Sequence, residues 1–118
     1  MNKVVEMKSS QRGSGSARTI LTCKEFLTSH NAKELESMFN EAMEKQKSEI
    51  ILDCEAMSFV DSAGLELLVA MDEKLKKRGG VLKMVAPNAV CNDILVATRL
   101  KNLFHVYADI HEAIQSGV

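Results

Sequence analysis

The sequence predicts an α/β protein, one domain built on a mixed, mostly parallel sheet of about five strands with about four helices. Three observations carry that expectation. Apolar and amphipathic segments follow one another in the order β-β-α-β-α-β-α-β-α, which gives a largely parallel sheet with an antiparallel element at its start. The run Ile50-Ile51-Leu52 does not alternate in polarity, as suits a central strand covered on both faces. At 118 residues with no internal repeat, the chain can bury a single ordinary core.

Val4–Met7 begins the first strand, and Arg18–Glu25, rich in Thr, Ile and Leu, forms the second. Residues 9–16, SSQRGSGS, read as a flexible hairpin loop, with Gly13 and Gly15 free to take positive φ. Asn31 and Glu34 have the spacing of a capping box, so a helix starts there. Its stripe of Leu35, Met38, Phe39, Ala42 and Met43 could form a partner groove. A lone amphipathic helix must bury that face, however, and core packing explains it without a partner. Glu44–Ser48 then connects to the central strand.

Asp61 is a suitable N-cap for the next helix, with Leu65, Leu68, Met71 and Leu75 facing inward and Gly79-Gly80 ending it. The basic run Lys74, Lys76, Lys77 and Arg78 complements the C-terminal dipole as a solvated face. Val81–Ala86 is the following strand, broken by Pro87 and Asn88. Val90, Ile94 and Ala97 are expected to face inward from a third helix, with Cys91 and Leu95 beside them. Leu103–Tyr107 forms a short last strand, and Asp109 with Glu112 caps a closing helix over 109–116.

Composition removes several function classes. A formal net charge of -1 offers no electrostatic attraction to nucleic acid or an anionic membrane, and one Tyr, four Phe and no Trp supply few stacking platforms. The N-terminal residues lack the apolar core of a signal peptide, and no apolar run reaches the roughly 18 residues of a membrane span. Cys23, Cys54 and Cys91 are widely spaced, without a Cys-x-x-Cys pair. They read as reduced, buried thiols of a cytoplasmic protein.

The stretch with chemical promise is Glu49–Leu68, EIILDCEAMSFVDSAGLELL. Asp61 at the N-cap puts Ser62 in the first helical turn, at the positive dipole end, where a hydroxyl is well placed to carry a phosphate. A serine nucleophile is a poorer reading. The nucleophile elbow needs Gly-x-Ser-x-Gly, and Val60 stands where its first glycine belongs. His30, His105 and His111 are the available bases, and no acid partner is evident for His30. A phosphoryl-accepting receiver would need an acidic pair after its first strand, but Ser9-Ser10 and Cys23-Lys24 follow the first two strands, and Asp53 with Asp61 does not assemble that site. No glycine-rich phosphate loop or metal-ligand spacing is present, so no enzyme activity, cofactor or metal is expected.

From Ile50 onward the chain resembles the STAS domain of anti-sigma factor antagonists. The matching segments are VDSAGLELL (Val60–Leu68), KKRGG (Lys76–Gly80), VLKMVAPNAV (Val81–Val90) and LKNLFHVYADIHEAI (Leu100–Ile114). NAKELESMFNEA, from Asn31 to Ala42, fits more loosely. The resemblance implies a STAS-like single domain over residues 1–118 that regulates sigma-factor-dependent transcription by switching partners. It implies phosphorylation of Ser62 by an anti-sigma factor that is also a serine protein kinase, and reversal by a serine phosphatase. Thr28, Ser58, Asp61, Ser62, Ala63 and Gly64 would form the partner-binding surface. The chain departs from the family pattern twice. Thr28 replaces the acidic residue that usually precedes the first helix, and Arg99 stands at a common glycine position. The alternative implied by the same family is an adaptor subunit of a lipid or anion transporter, acting without phosphorylation.

Overall fold

The computed structural model describes residues 5–12, 16–45, 49–85 and 87–116, with side chains from residue 18 onward. Strands β1 (Val5–Arg12) and β2 (Ser16–Cys23) pair antiparallel, from Val5 opposite Cys23 to Arg12 opposite Ser16. The ladder runs further than composition suggested, because backbone pairing is indifferent to a Ser-rich sequence. Residues 9–12 and 16, expected in the loop, thus belong to the strands, while 13–15 and Val4 lie outside the described residues.

Strands β4 (Glu49–Asp53), β6 (Val81–Val85) and β7 (His105–Tyr107) extend the sheet in parallel, in the order β1-β2-β4-β6-β7. Ile50, Ile51 and Leu52 are all 0% exposed, so the non-alternating run is the doubly covered central strand. A second, two-stranded sheet was not foreseen. It pairs β3 (Phe26–Leu27) with β5 (Phe59–Val60), parallel, with Phe26 opposite Phe59 and Leu27 opposite Val60. Two-residue strands carry no periodicity, so only the tertiary fold reveals them.

Helices α1 (Ala32–Glu44), α2 (Ser62–Lys77) and α3 (Ala89–Ala97) belong to the larger core, where Phe39, Leu68 and Leu95 pack with Leu21, Ile50, Leu52 and Leu82 of the sheet. Helix α4 (Ile110–Gln115) supplies Ala113 to a smaller cluster with Ile51 and Val85. Alternation along each strand divides these two faces.

Three local expectations change. Asn31 is the N-cap of α1 by position, but its side chain does not cap it. Its amide instead accepts from the Thr28 N–H at 2.8 Å and donates to the Phe26 carbonyl at 2.6 Å. On α3 the buried residues are Cys91 and Leu95, whereas Val90 is 51% exposed and Ala97 is exposed as well. The helix is rotated by its anchors: Asn88 Oδ1 accepts from the Cys91 N–H, and both Asn88 Nδ2 and the Cys91 thiol donate to the Met57 carbonyl. The last strand is shorter than expected, beginning at His105, with Phe104 buried in the preceding turn.

The sheet face under α4 carries a buried ionic network. Lys83 is 1% exposed, and its ammonium lies 2.8 Å from Glu49 Oε2 while donating to the carbonyls of Ala113 and Ser116. Glu49 Oε1 also receives Arg18 at 3.0 Å. One carboxylate thus answers two cations that would otherwise be left in a low-dielectric site. Glu49→Ala is expected to cost about 3–5 kcal/mol, and Lys83→Met clearly less, since Arg18 still neutralises Glu49. Urea unfolding of both variants checks the order; equal losses would show that Glu49 does not serve both cations.

Helices α2 and α3 end in the same hydrogen-bond pattern with different residues. After α2, Gly79 takes φ 75°, and Gly80 N–H reaches back to the Leu75 carbonyl at 2.7 Å. After α3, Arg99 takes φ 63°, and Leu100 N–H reaches the Leu95 carbonyl at 2.9 Å. The second is the left-handed cap without its usual glycine. Arg99→Gly should therefore raise stability by about 1 kcal/mol, read as a higher urea midpoint at unchanged slope.

Candidate functional site

Two segments far apart in sequence meet at the start of α2. The β3–β5 ladder sets the 25–29 segment beside 58–64. The Ser58 N–H and hydroxyl both donate to the Glu25 carbonyl, at 2.6 and 2.7 Å. Further along, the Asp61 N–H donates to the Leu27 carbonyl at 3.1 Å. The Ser29 N–H closes the seam on Asp61 Oδ2 at 3.2 Å.

Asp61 caps α2 as its sequence position predicts. Its Oδ1 accepts from the Gly64 N–H at 2.9 Å, and its carbonyl takes the Leu65 N–H. Donation from the Gly64 amide, and then from Ser29, holds the carboxyl below its ordinary pKa. The cap is consequently intact at neutral pH and lost only as pH falls through that depressed value. Ser62 is the first residue of α2 and is exposed, with Ala63 half-buried beside it.

Of the sequence-predicted residues, Asp61, Ser62, Ala63 and Gly64 form the N-terminal turn of α2, Ser58 stands just before β5, and Thr28 lies in the segment wired to them. Thr28 is 9% exposed, and its hydroxyl accepts from the His30 N–H while its carbonyl accepts from Asn31 and Ala32. It therefore works as a support for the start of α1. Asn31, Ser29 and the Glu25 carbonyl join the site without having been singled out. Backbone donors and acceptors leave no trace in residue type, but the buried Asn31 could have been suspected as a loop brace. Phe59, 48% exposed one strand position from the turn, adds an apolar element to the same surface.

Gly64 has a specific reason to be glycine. A Cβ there would lie 2.4 Å from the Leu27 carbonyl oxygen and 2.8 Å from Val60 Cγ2. The first of these contacts is backbone, so it can be relieved only by moving β3 away from α2. Gly64→Ala is expected to destabilise the protein by about 3 kcal/mol, despite the better helix propensity of alanine, as a denaturation midpoint will show.

The fold and the turn can now be set beside known proteins. The model of the STAS domain family matches residues 9–113. TM1081 of Thermotoga maritima, named as a putative anti-sigma factor antagonist, is 26% identical, with a TM-score of 0.79 over 83% of this chain and 85% of that one. The Bacillus cell fate determinant SpoIIAA in its phosphorylated form is 18% identical, with a TM-score of 0.70 over 92% and 96%. A sulfate transporter family protein from Wolinella succinogenes is likewise 18% identical, with a TM-score of 0.71 over 80% and 79%. With the family model spanning nearly all of the described sheet and helices, the chain belongs to the STAS domain family.

Proposed function

We propose that this chain is an anti-sigma factor antagonist, a non-enzymatic binding module switched off by phosphorylation of Ser62. The observation that carries the reading is the exposed Ser62 hydroxyl on the first turn of α2, in a surface built from two braced segments. The likeness to TM1081 supports it. The partner would be an anti-sigma factor that is also a serine protein kinase, with a serine phosphatase restoring the unmodified form. Thr28, Ser58, Asp61, Ser62, Ala63 and Gly64 would contribute to the surface it reads.

The physics of such a switch is local. A phosphate adds about -1.5 to -2 charge at neutral pH, and Asp61 already places a carboxylate next to it. The positive end of the α2 dipole favours the anion inside the domain. A partner surface matched to the neutral hydroxyl would meet about two further negative charges beside that of Asp61, while the core below is untouched. No helix among the described residues is long and apolar enough to cross a membrane, which accords with action in the cytoplasm as one domain.

Thr28 favours a second reading, a STAS adaptor subunit of a lipid or anion transporter. The acidic group expected before the first helix is absent, and Thr28 is occupied in supporting α1. Identification of the co-purifying protein separates the two: a kinase-like ATPase supports the antagonist, a transporter permease or ATPase the adaptor. For the antagonist, Ser62→Ala should stay bound to the kinase and Ser62→Asp should bind at least about tenfold more weakly. Incubation with that kinase and ATP should add a single phosphate at Ser62 to the intact mass. Equal affinities for the two variants would end the switch proposal.

A further inference from the structure

Cys23, Cys54 and Cys91 lie in the core beneath the switch turn, and the proposed function uses none of them. All three are free and buried, at 0%, 0% and 1% exposure. Their placement follows from strand register. β2 and β4 run parallel, and their ladder ends with Leu21 opposite Leu52 and Thr22 opposite Asp53. Cys23 closes β2 and Cys54 follows β4, so the same register carried one residue further would set them side by side. Each follows its leucine by two residues and joins the same core cluster as it. Adjacent strands lie about 4.8 Å apart, within the roughly 4.4–6.8 Å Cα separation that a disulfide spans. Cys91 enters from α3 instead, with its thiol on the Met57 carbonyl at 3.5 Å.

We propose that Cys23 and Cys54 are a core dithiol that closes to an intramolecular disulfide under oxidising conditions and thereby loosens the strand seating the switch turn. In the reduced protein the Cys23 thiol donates to the Phe26 carbonyl at 3.1 Å. Phe26 opens β3, and the next residue, Leu27, supplies the carbonyl that receives the Asp61 N–H. A disulfide has no S–H, so closure removes that anchor of β3. The coupling to Ser62 rests on the function proposed above; the disulfide itself does not.

The oxidant is a small-molecule disulfide such as oxidised glutathione. The thiolate of one cysteine attacks it and displaces a glutathione thiolate. The second cysteine thiolate attacks the protein-bound sulfur of the mixed disulfide and displaces the other. Two electrons pass to the oxidant, and the two protein thiol protons go to solvent or the departing thiolates. In the closed fold burial pushes the Cys23 thiol up to about 12 and raises Cys54 further from reactivity. Reaction therefore runs through opening of the 24–30 segment, whose two-residue β3 ladder is a low-cost place to open.

The test uses the full reduced chain with excess oxidised glutathione, quenched by alkylation in denaturant and read by intact mass and non-reducing peptide mapping. The expected product has lost two hydrogens, joins the Cys23 and Cys54 peptides and carries one alkyl group on Cys91. Cys91→Ser should give the same link, and Cys23→Ala none. In the purified disulfide form the Asp61 amide should exchange with deuterium at least about tenfold faster than in the reduced form. Three alkylated cysteines after oxidation, or a link through Cys91, would overturn the pairing. An unchanged Asp61 exchange rate in the linked protein would overturn its coupling to the switch. Both readouts use the free chain, so they are independent of whether a kinase partner binds Ser62.

Discussion

One backbone oxygen governs how the site is built. The Leu27 carbonyl accepts the Asp61 N–H at 3.1 Å and sits where any Cβ at position 64 would have to be, 2.4 Å away. β3 and the first turn of α2 can touch only because Gly64 has no side chain. That contact brings Ser29 within reach of Asp61, and Asp61 then holds both the helix start and the neighbouring segment. The exposed hydroxyl of Ser62 is thus carried by a backbone frame that its own side chain does not help to form. A modification at Ser62 can change the surface without removing a support.

The rest of the fold supplies rigidity from two unlike faces. On the larger side, apolar residues of α1, α2 and α3 pack on a central strand whose three middle residues are fully buried. On the smaller side, a short six-residue α4 covers the sheet, packing Ala113 against Ile51 and Val85 while Lys83 donates to the Ala113 and Ser116 carbonyls. A six-residue helix is marginal alone in water, so α4 depends on its tertiary contacts, the Lys83 hydrogen bonds and the packing of Ile110, Ala113 and Ile114 among them. The network lies toward the beginning of β4, whereas the Ser62 turn follows that strand's end. The charges that secure the fold are consequently separate from the charge change proposed at Ser62.

Legibility in the sequence followed the range of the interactions. The strand over 50–52, the Asp61 cap, the Gly79 cap and the inward stripe of α1 were all readable, because each is decided by neighbours within a few residues. The left-handed turn at Arg99 was not readable, since arginine itself argues against it and the resemblance marked only a missing glycine there. The face that α3 buries differs from the expected one at Val90 and Ala97. Its residues are apolar nearly all round, so the periodic pattern is weak, and the Asn88 and Cys91 contacts to Met57 chose the face. The small β3–β5 sheet and the reversed Asn31 side chain left no pattern at all.

The sequence by itself determined the order of elements, the doubly covered strand, and a serine at the head of a capped helix, because hydrophobic period and capping chemistry are local. Tertiary structure decided what stands beside that serine. Glu25, Leu27 and Ser29 act there through backbone atoms, and the parallel register of β2 and β4 carries Cys23 and Cys54 to the same end of the ladder. Main-chain groups and register are common to every residue type, so only the folded path of the chain could assign them.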